Sequence, residues 1–361
     1  MNIIILSLLA LFNSYTQVDI DNKLTYRELF YIDYCNIDGK IAYYSKCIDE
    51  NCNINLYLTT EKNKAYVINI NSEYNNYNAC GSTLISNIVT YKDTLFFVTS
   101  KKLLKYYYNK SSDSIEFINA IDLEKLFSRD ILYYANNIYL NYPNIYCEKS
   151  DYNSKRLDEG VFYYFKINLQ NIAENKFKKF EYPSGFYWSV VKPRNIIDFG
   201  RENYLITDIT NYKIKVYNYN DSLVDSINRN VSFWKAETYD NDKFKNQHPA
   251  KIFEFITNDT LTKTLIHRVK FLTDRQILVC YSNNSDDSSD KLYDLYFDLW
   301  EKTNKGWELS SQDEKGVVAL KNKYGVELEA QFHIIRNSLI TPYVDEINEK
   351  NKLNILYYDN K

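Results

Sequence analysis

The chain has 361 residues, 45% apolar and 25% charged, with a formal net charge of −3. That balance folds and buries a core, which excludes disorder as the main state. It also excludes a global basic field of the kind that draws nucleic acid or an anionic membrane.

The amino-terminal block Ile3–Phe12 is apolar but for Ser7. Ser14 and Thr16 follow it, spaced like the −3 and −1 positions of a cleavage site. The block matches the core of a secretory leader and is shorter than the ~20 residues that span a bilayer. Residues 1–17 are therefore expected to be a signal peptide, although no Lys or Arg precedes the block. No Cys sits at the cleavage point to take a lipid, and no later run is apolar enough to span a membrane. An exported protein follows, periplasmic or extracellular.

Export opens the cysteines to oxidation. Cys47 and Cys52 bracket a short polar loop between strand-like runs, where a disulfide, free thiols or a metal site are all open readings. A metal would need a second ligand pair near by, and the sequence offers none.

Strand-like runs dominate from about residue 28 onward. They are short, β-branched or aromatic, and bounded by Asn, Asp, Lys or Ser. With 36 Tyr and 19 Phe, the chain is rich in residues that suit a half-buried pleated surface. Only 8 Gly and 5 Pro are present, so Asn and Asp must make most turns, since both tolerate the left-handed conformation. Asp122–Ser128 reads as a short helix capped by Asp122, and Thr25–Tyr31 as a weaker one. Leu292–Trp300 alternates, with Tyr293, Leu295, Phe297 and Leu299 expected on a dry face and Asp294 and Asp298 on a wet one. Ser282–Lys291 reads as an exposed hairpin loop.

The runs group into sheets of three or four strands over 28–70, 84–121, 130–182, 195–228, 250–310 and 316–359. A period of ~40–60 residues with several short strands per unit predicts an all-β chain of β-propeller type, most simply six-bladed, over 18–361. A β-sandwich followed by a second β domain is the alternative.

Asn195–Asn230 carries a recognisable pattern. A strand ending in Asp (Tyr204–Asp208) leads through a turn (Thr210–Tyr212) to a strand of I-x-V-[FY] type (Ile214–Tyr217). A turn (Asn220–Ser222) and a third strand (Leu223–Ile227) follow. This resembles the repeat of exported bacterial six-bladed β-propellers of the NHL-like and TolB-like kind, and Asn337–Asp359 looks like their closing blade. Asn220–Asp221 stands where that repeat usually has a turn Gly. The resemblance implies a fold and a binding platform, and no specific chemistry.

The G-x-S-x-G, H-E-x-x-H, G-x-x-x-x-G-K-[ST] and G-x-G-x-x-G signatures do not occur in the sequence. His248, His267 and His333 read as structural more readily than catalytic. Asp198 and Asp208 flank the blade-like strand, where such a residue can face a central channel, or simply bond a turn. Asp286, Asp287 and Asp290 could hold Ca²⁺, but the calcium-loop pattern is missing, so no cofactor is expected. Tyr187, Trp188, Phe233 and Trp234 are candidates for an aromatic binding rim, against packing between sheets.

The expected function is a non-enzymatic, monomeric platform for a protein or carbohydrate ligand. A hydrolase or lyase with a carboxylate or metal site in the channel, and a structural component of a surface complex, are the alternatives. In a eukaryotic source Asn109, Asn220, Asn230, Asn258 and Asn283 would be glycan acceptors.

Overall fold

The computed structural model describes residues 14–19, 32–45, 53–60, 65–70, 85–99, 101–127, 135–152, 160–171, 182–184, 196–207, 212–234, 264, 266–283, 291–320, 333–335, 338–345 and 350–357. The first strand, β1 (Ser14–Asp19), starts inside the segment expected to be a leader. After it come β2 (Ile32–Ile37), β3 (Lys40–Ser45), β4 (Asn53–Leu58) and β5 (Ala65–Asn69), which form one sheet. The second holds β6 (Ile85–Tyr91), β7 (Thr94–Thr99), β8 (Lys102–Asn109) and β9 (Ser114–Asp122). The third holds β10 (Ala135–Asn141), β11 (Asn144–Tyr152), β12 (Gly160–Asn168) and β13 (Tyr182–Ser184). The fourth holds β14 (Ile196–Phe199), β15 (Asn203–Thr207), β16 (Lys213–Asn218) and β17 (Leu223–Asn228). The fifth holds β18 (Ile266–Thr273), β19 (Gln276–Asn283), β20 (Lys291–Thr303) and β21 (Gly306–Leu320).

The last sheet has three strands of its own, β22 (His333–Ile335), β23 (Ser338–Asp345) and β24 (Lys350–Tyr357), and takes β1 as its fourth. β1 runs antiparallel to β24, with Ser14 opposite Tyr357 and Asp19 opposite Lys352. The described strands thus fall into six four-stranded antiparallel sheets. The expected groupings match these sheets, except that 316–320 continues β21 and that the last sheet includes β1, from outside any expected group.

Asn and Asp make the turns, as expected. Asp38 and Gly39 both take positive φ, 47° and 87°, which is the twist a two-residue hairpin needs. Asn36 Oδ1 accepts from the Gly39 N–H at 3.0 Å. Asn218 Oδ1 accepts from the N–H groups of Asn220 and Ser222, each at 3.0 Å. Among the described residues a short helix, α1 (Leu123–Leu126), begins where predicted, with Asp122 Oδ1 accepting from the Glu124 N–H at 3.0 Å. Thr25–Tyr31, Cys47, Cys52, Asp286, Asp287 and His248 lie outside the described residues, as does Asp290.

The sheets stack face to face, so their middle strands are dry on both sides. Leu95–Thr99 of β7 and Ile277–Tyr281 of β19 are buried without alternation. Exposed residues return on the outer strands, as in Glu116–Ala120 of β9. Apolar clusters fill the spaces between neighbouring sheets. Tyr44 and Leu56 pack with Leu95 and Phe97, Phe96 and Leu103 with Ile138 and Ile145, and Leu205 and Val216 with Val269 and Val279.

This stacking corrects the reading of Leu292–Trp300. Phe297, Asp298, Leu299 and Trp300 are all buried, and the Asp298 side chain has 0% exposure. Strict alternation had assigned Asp298 to water, but a second sheet covers that face. A buried carboxylate must then be paired and hydrogen-bonded. Asp298 meets Arg229 in an ion pair and accepts from the hydroxyls of Tyr212 at 2.5 Å and Tyr281 at 3.0 Å.

A recurring device latches each of three sheets to the one before it. Asp113, Asp221 and Asp313 all have positive φ. Each accepts from a tyrosine of its own sheet: Tyr108 at 2.8 Å, Tyr204 at 3.1 Å and Tyr281 at 2.5 Å. Each also accepts from the preceding sheet: Tyr66 at 2.6 Å, Lys166 at 3.2 Å and Arg229 at 2.6 Å. Burial first, and then the Asp221 charge, push the Tyr204 hydroxyl well above the usual tyrosine range. Burial works against a charged Asp313, but the bonds from Arg229 and Tyr281 outweigh it and hold its carboxyl below the usual range.

Asp221→Ala is expected to cost about 2–3 kcal/mol in urea unfolding, from lost bonds to a mostly buried cation and strain at a φ of 63°. Asp221→Asn keeps the turn and should recover part of that loss. Equal stability of all three proteins would remove the latch as a source of inter-sheet energy.

Candidate functional site

The first strand of each sheet lies against first strands of other sheets: β2 on β6, β6 on β10, β14 on β18, β18 on β22, and β22 on β2. The sheets of β10 and β14 meet through Tyr139, Tyr164, Ile197 and Tyr204. The first strands therefore form a shared inner layer, and each ends in a tight hairpin to its second strand. Counting residue pairs outward from that hairpin puts the strands on a common scale.

At the fourth pair stand Tyr34, Ile88, Ile138, Ile197 and Val269, all buried. Gly200 bonded to Asn203 is the first pair of β14. The third pair carries Cys35, Val89, Tyr139, Asp198, Lys270 and His333. At the fifth pair are Asp33, Asn87, Asn137, Ile196 and Arg268. Third and fifth pairs share one face, because strand side chains alternate. Beside the buried Cys35 and the apolar Val89 and Ile196, that face holds the polar Asp33, Asn87, Tyr139, Asp198, Lys270 and Arg268, none of them fully buried.

Several of these side chains are fixed by neighbours. Asp198 Oδ1 accepts from Lys270 Nζ at 2.6 Å and Oδ2 from the Phe271 N–H at 2.8 Å. The bond joins two sheets at the same level, as the shared scale requires. Tyr139 donates to the buried Glu148 at 3.0 Å. Asp33 is bonded by the Tyr44 hydroxyl, which in turn accepts from the Ile88 N–H at 2.9 Å. Burial is the main cause that raises the Tyr44 hydroxyl well above the tyrosine range, with the Asp33 charge adding to it. These carboxylates and tyrosines are preorganised hydrogen-bonding groups on rigid strands, suited to orienting a polar ligand. Among the described residues no group of His, Cys, Asp and Glu is placed to hold a metal ion.

Of the residues singled out in the sequence, Asp198 falls on this inner layer. Asp208, Tyr187 and Trp188 lie outside the described residues. Phe233 and Trp234 follow the outer strand β17 and are partly buried against the core between the fourth and fifth sheets. Phe233 lies 5.0 Å from the Tyr296 ring and Trp234 5.8 Å from that of Tyr212, which is packing between sheets. The large aromatics that are exposed among the described residues are Tyr91, Tyr107 and Phe117. Sequence reading missed Asp33, Asn87, Arg268 and Lys270. Aligning the strand runs on their hairpins would have found the first two, but bulges at His267 and Leu272 shift the count on β18.

No family model matches the chain, and no curated protein matches it either. Solved structures do. A member of the DUF4221 family from Bacteroides vulgatus superposes with a TM-score of 0.57 at 10% identity, covering 96% of this chain and 97% of that one. A candidate exported protein from Bacteroides fragilis gives 0.54 at 14% identity, covering 96% and 95%. At these identities the likeness concerns the fold, an all-β chain of small antiparallel sheets that is shared over nearly the whole length. No helix among the described residues is long and apolar enough to cross a membrane.

Proposed function

We propose that the chain is an exported six-bladed β-propeller of the NHL-like kind that binds a saccharide through its inner strands. In this reading each four-stranded sheet is a blade, β1 supplies the outer strand of the last blade, and the first strands surround a central channel. Export rests on the amino-terminal apolar block. One observation carries the functional part: half-buried polar side chains recur at equivalent levels on first strands of different sheets, and the Asp198–Lys270 bond ties two of them. Asn87, Asp33 and Tyr139 offer donors and acceptors of the type that sugar hydroxyls need.

A panel of neutral and acidic saccharides, tested against the whole chain by calorimetry, examines this. The protein is expected to bind at least one member saturably. The double variant Asp33→Asn/Asn87→Ala should weaken that binding by about 10-fold or more, the loss of one or two hydrogen bonds, with its thermal unfolding nearly unchanged. Failure of every saccharide to bind would end the reading.

A further inference from the structure

We infer that the inner face of β18 receives a carboxylate, so that the ligand is an acidic saccharide of uronic-acid type held by Arg268. The inference rests on the inner strands being the ligand site and adds the chemistry of one contact. Arg268 sits at the fifth pair from its hairpin, opposite Cys280, which is fully buried. Two positions along the same face, Lys270 is already neutralised by Asp198 at 2.6 Å. Arg268 has no hydrogen bond or ion pair among the described residues. The acid at its own level on another sheet, Asp33, lies beyond the intervening β22 and is bonded to Tyr44.

The local backbone directs this side chain. The register of β18 on β19 shifts between Ile266 and Arg268, leaving His267 as the extra residue of a bulge. Bulges re-aim the adjacent side chain and are common beside binding sites. The result is a partly buried guanidinium whose fork meets no partner among the described residues, two positions from the neutralised Lys270. A guanidinium in that setting pairs with a carboxylate through two parallel hydrogen bonds, a geometry that a lysine cannot reproduce. Asn87 and Tyr139, on the first strands β6 and β10, then offer neutral hydrogen-bonding groups to the rest of the ligand.

Calorimetric titration of the full chain with D-glucuronate, D-glucose and sodium sulfate at one ionic strength tests the inference. Glucuronate is expected to bind saturably and about 10-fold or more tighter than glucose. Arg268→Gln should remove that advantage, and Arg268→Lys should keep only part of it. Circular dichroism and thermal unfolding check that both variants fold, and the lysine variant retains the charge if the glutamine one does not. Glucuronate bound equally well by wild type and Arg268→Gln overturns the inference, as does sulfate bound as tightly as glucuronate. Saccharide binding that depends on Asp33 and Asn87 but ignores Arg268 leaves the inner-strand site standing and removes the carboxylate. If no saccharide binds, both fall.

Discussion

Asp298→Ala is expected to lower the free energy of unfolding by about 3–5 kcal/mol, the usual loss when one partner of a buried pair is removed. The Asp298 side chain has no exposure and Arg229 is only 11% exposed. Besides Arg229 it accepts from Tyr212, from Tyr281 and from the Asp313 N–H at 2.8 Å. Truncation strands all of these at once. Tyr212 also accepts from the Trp300 indole at 2.9 Å, so the disturbance reaches the aromatic packing between the fourth and fifth sheets. Asp298→Asn keeps an acceptor without the charge and should fall between wild type and alanine. A surface control is Asp93→Ala, which breaks an exposed pair with Lys110 and should cost under ~1 kcal/mol. Urea denaturation at neutral pH separates the cases. A loss below about 1 kcal/mol for Asp298→Ala would mean that the network is not the clasp between these sheets.

The second large effect concerns β1. A chain beginning at residue 20 lacks the strand that pairs with β24 over Ser14–Asp19. The last sheet then keeps three strands, one of them only the three residues His333–Ile335. At roughly 1 kcal/mol for each of several hydrogen bonds, about 2–4 kcal/mol should be lost. That corresponds to a fall in Tm of ~5–15 °C, taking ~2–4 °C per kcal/mol. The bared edge of β24 should also promote self-association, since an unpaired strand edge is a template for another. Scanning calorimetry with light scattering on chains starting at residues 14 and 20 measures both. Removal of the expected leader, residues 1–17, would leave Val18 and Asp19 paired, and that chain should fall between the two. Identical melting of all three would show that β1 contributes nothing to holding the last sheet.

Much of the fold was legible because its signals are local. The strand runs, the Asn and Asp turns and the Asp122 cap each depend on a few adjacent residues. The burial of Asp298 was not legible, since alternation tells a dry face from a wet one only when one face meets water. Nor was the β1–β24 pairing, which joins opposite ends of the chain and leaves no mark in either segment alone. The candidate site was half legible. Asp198 stood out beside a strand of recognisable pattern. Its partner Lys270 did not, because their bond crosses between sheets and the β18 bulges hide the common register. Trp234 stayed open between rim and core for a simpler reason: a large aromatic near a strand end serves either, and here it packs against Tyr212 and Tyr281.

The most direct test of an inner-strand ligand site is hydrogen exchange with and without the tightest-binding saccharide of the panel. Peptides covering Ile32–Ile37, Ile85–Tyr91 and Ile266–Thr273 come from three different sheets and should slow together when the ligand is bound. The outer strands Ser114–Asp122 and Leu223–Asn228 should exchange as before. Protection confined to outer strands, or to a single sheet, would contradict a site built from the shared inner layer.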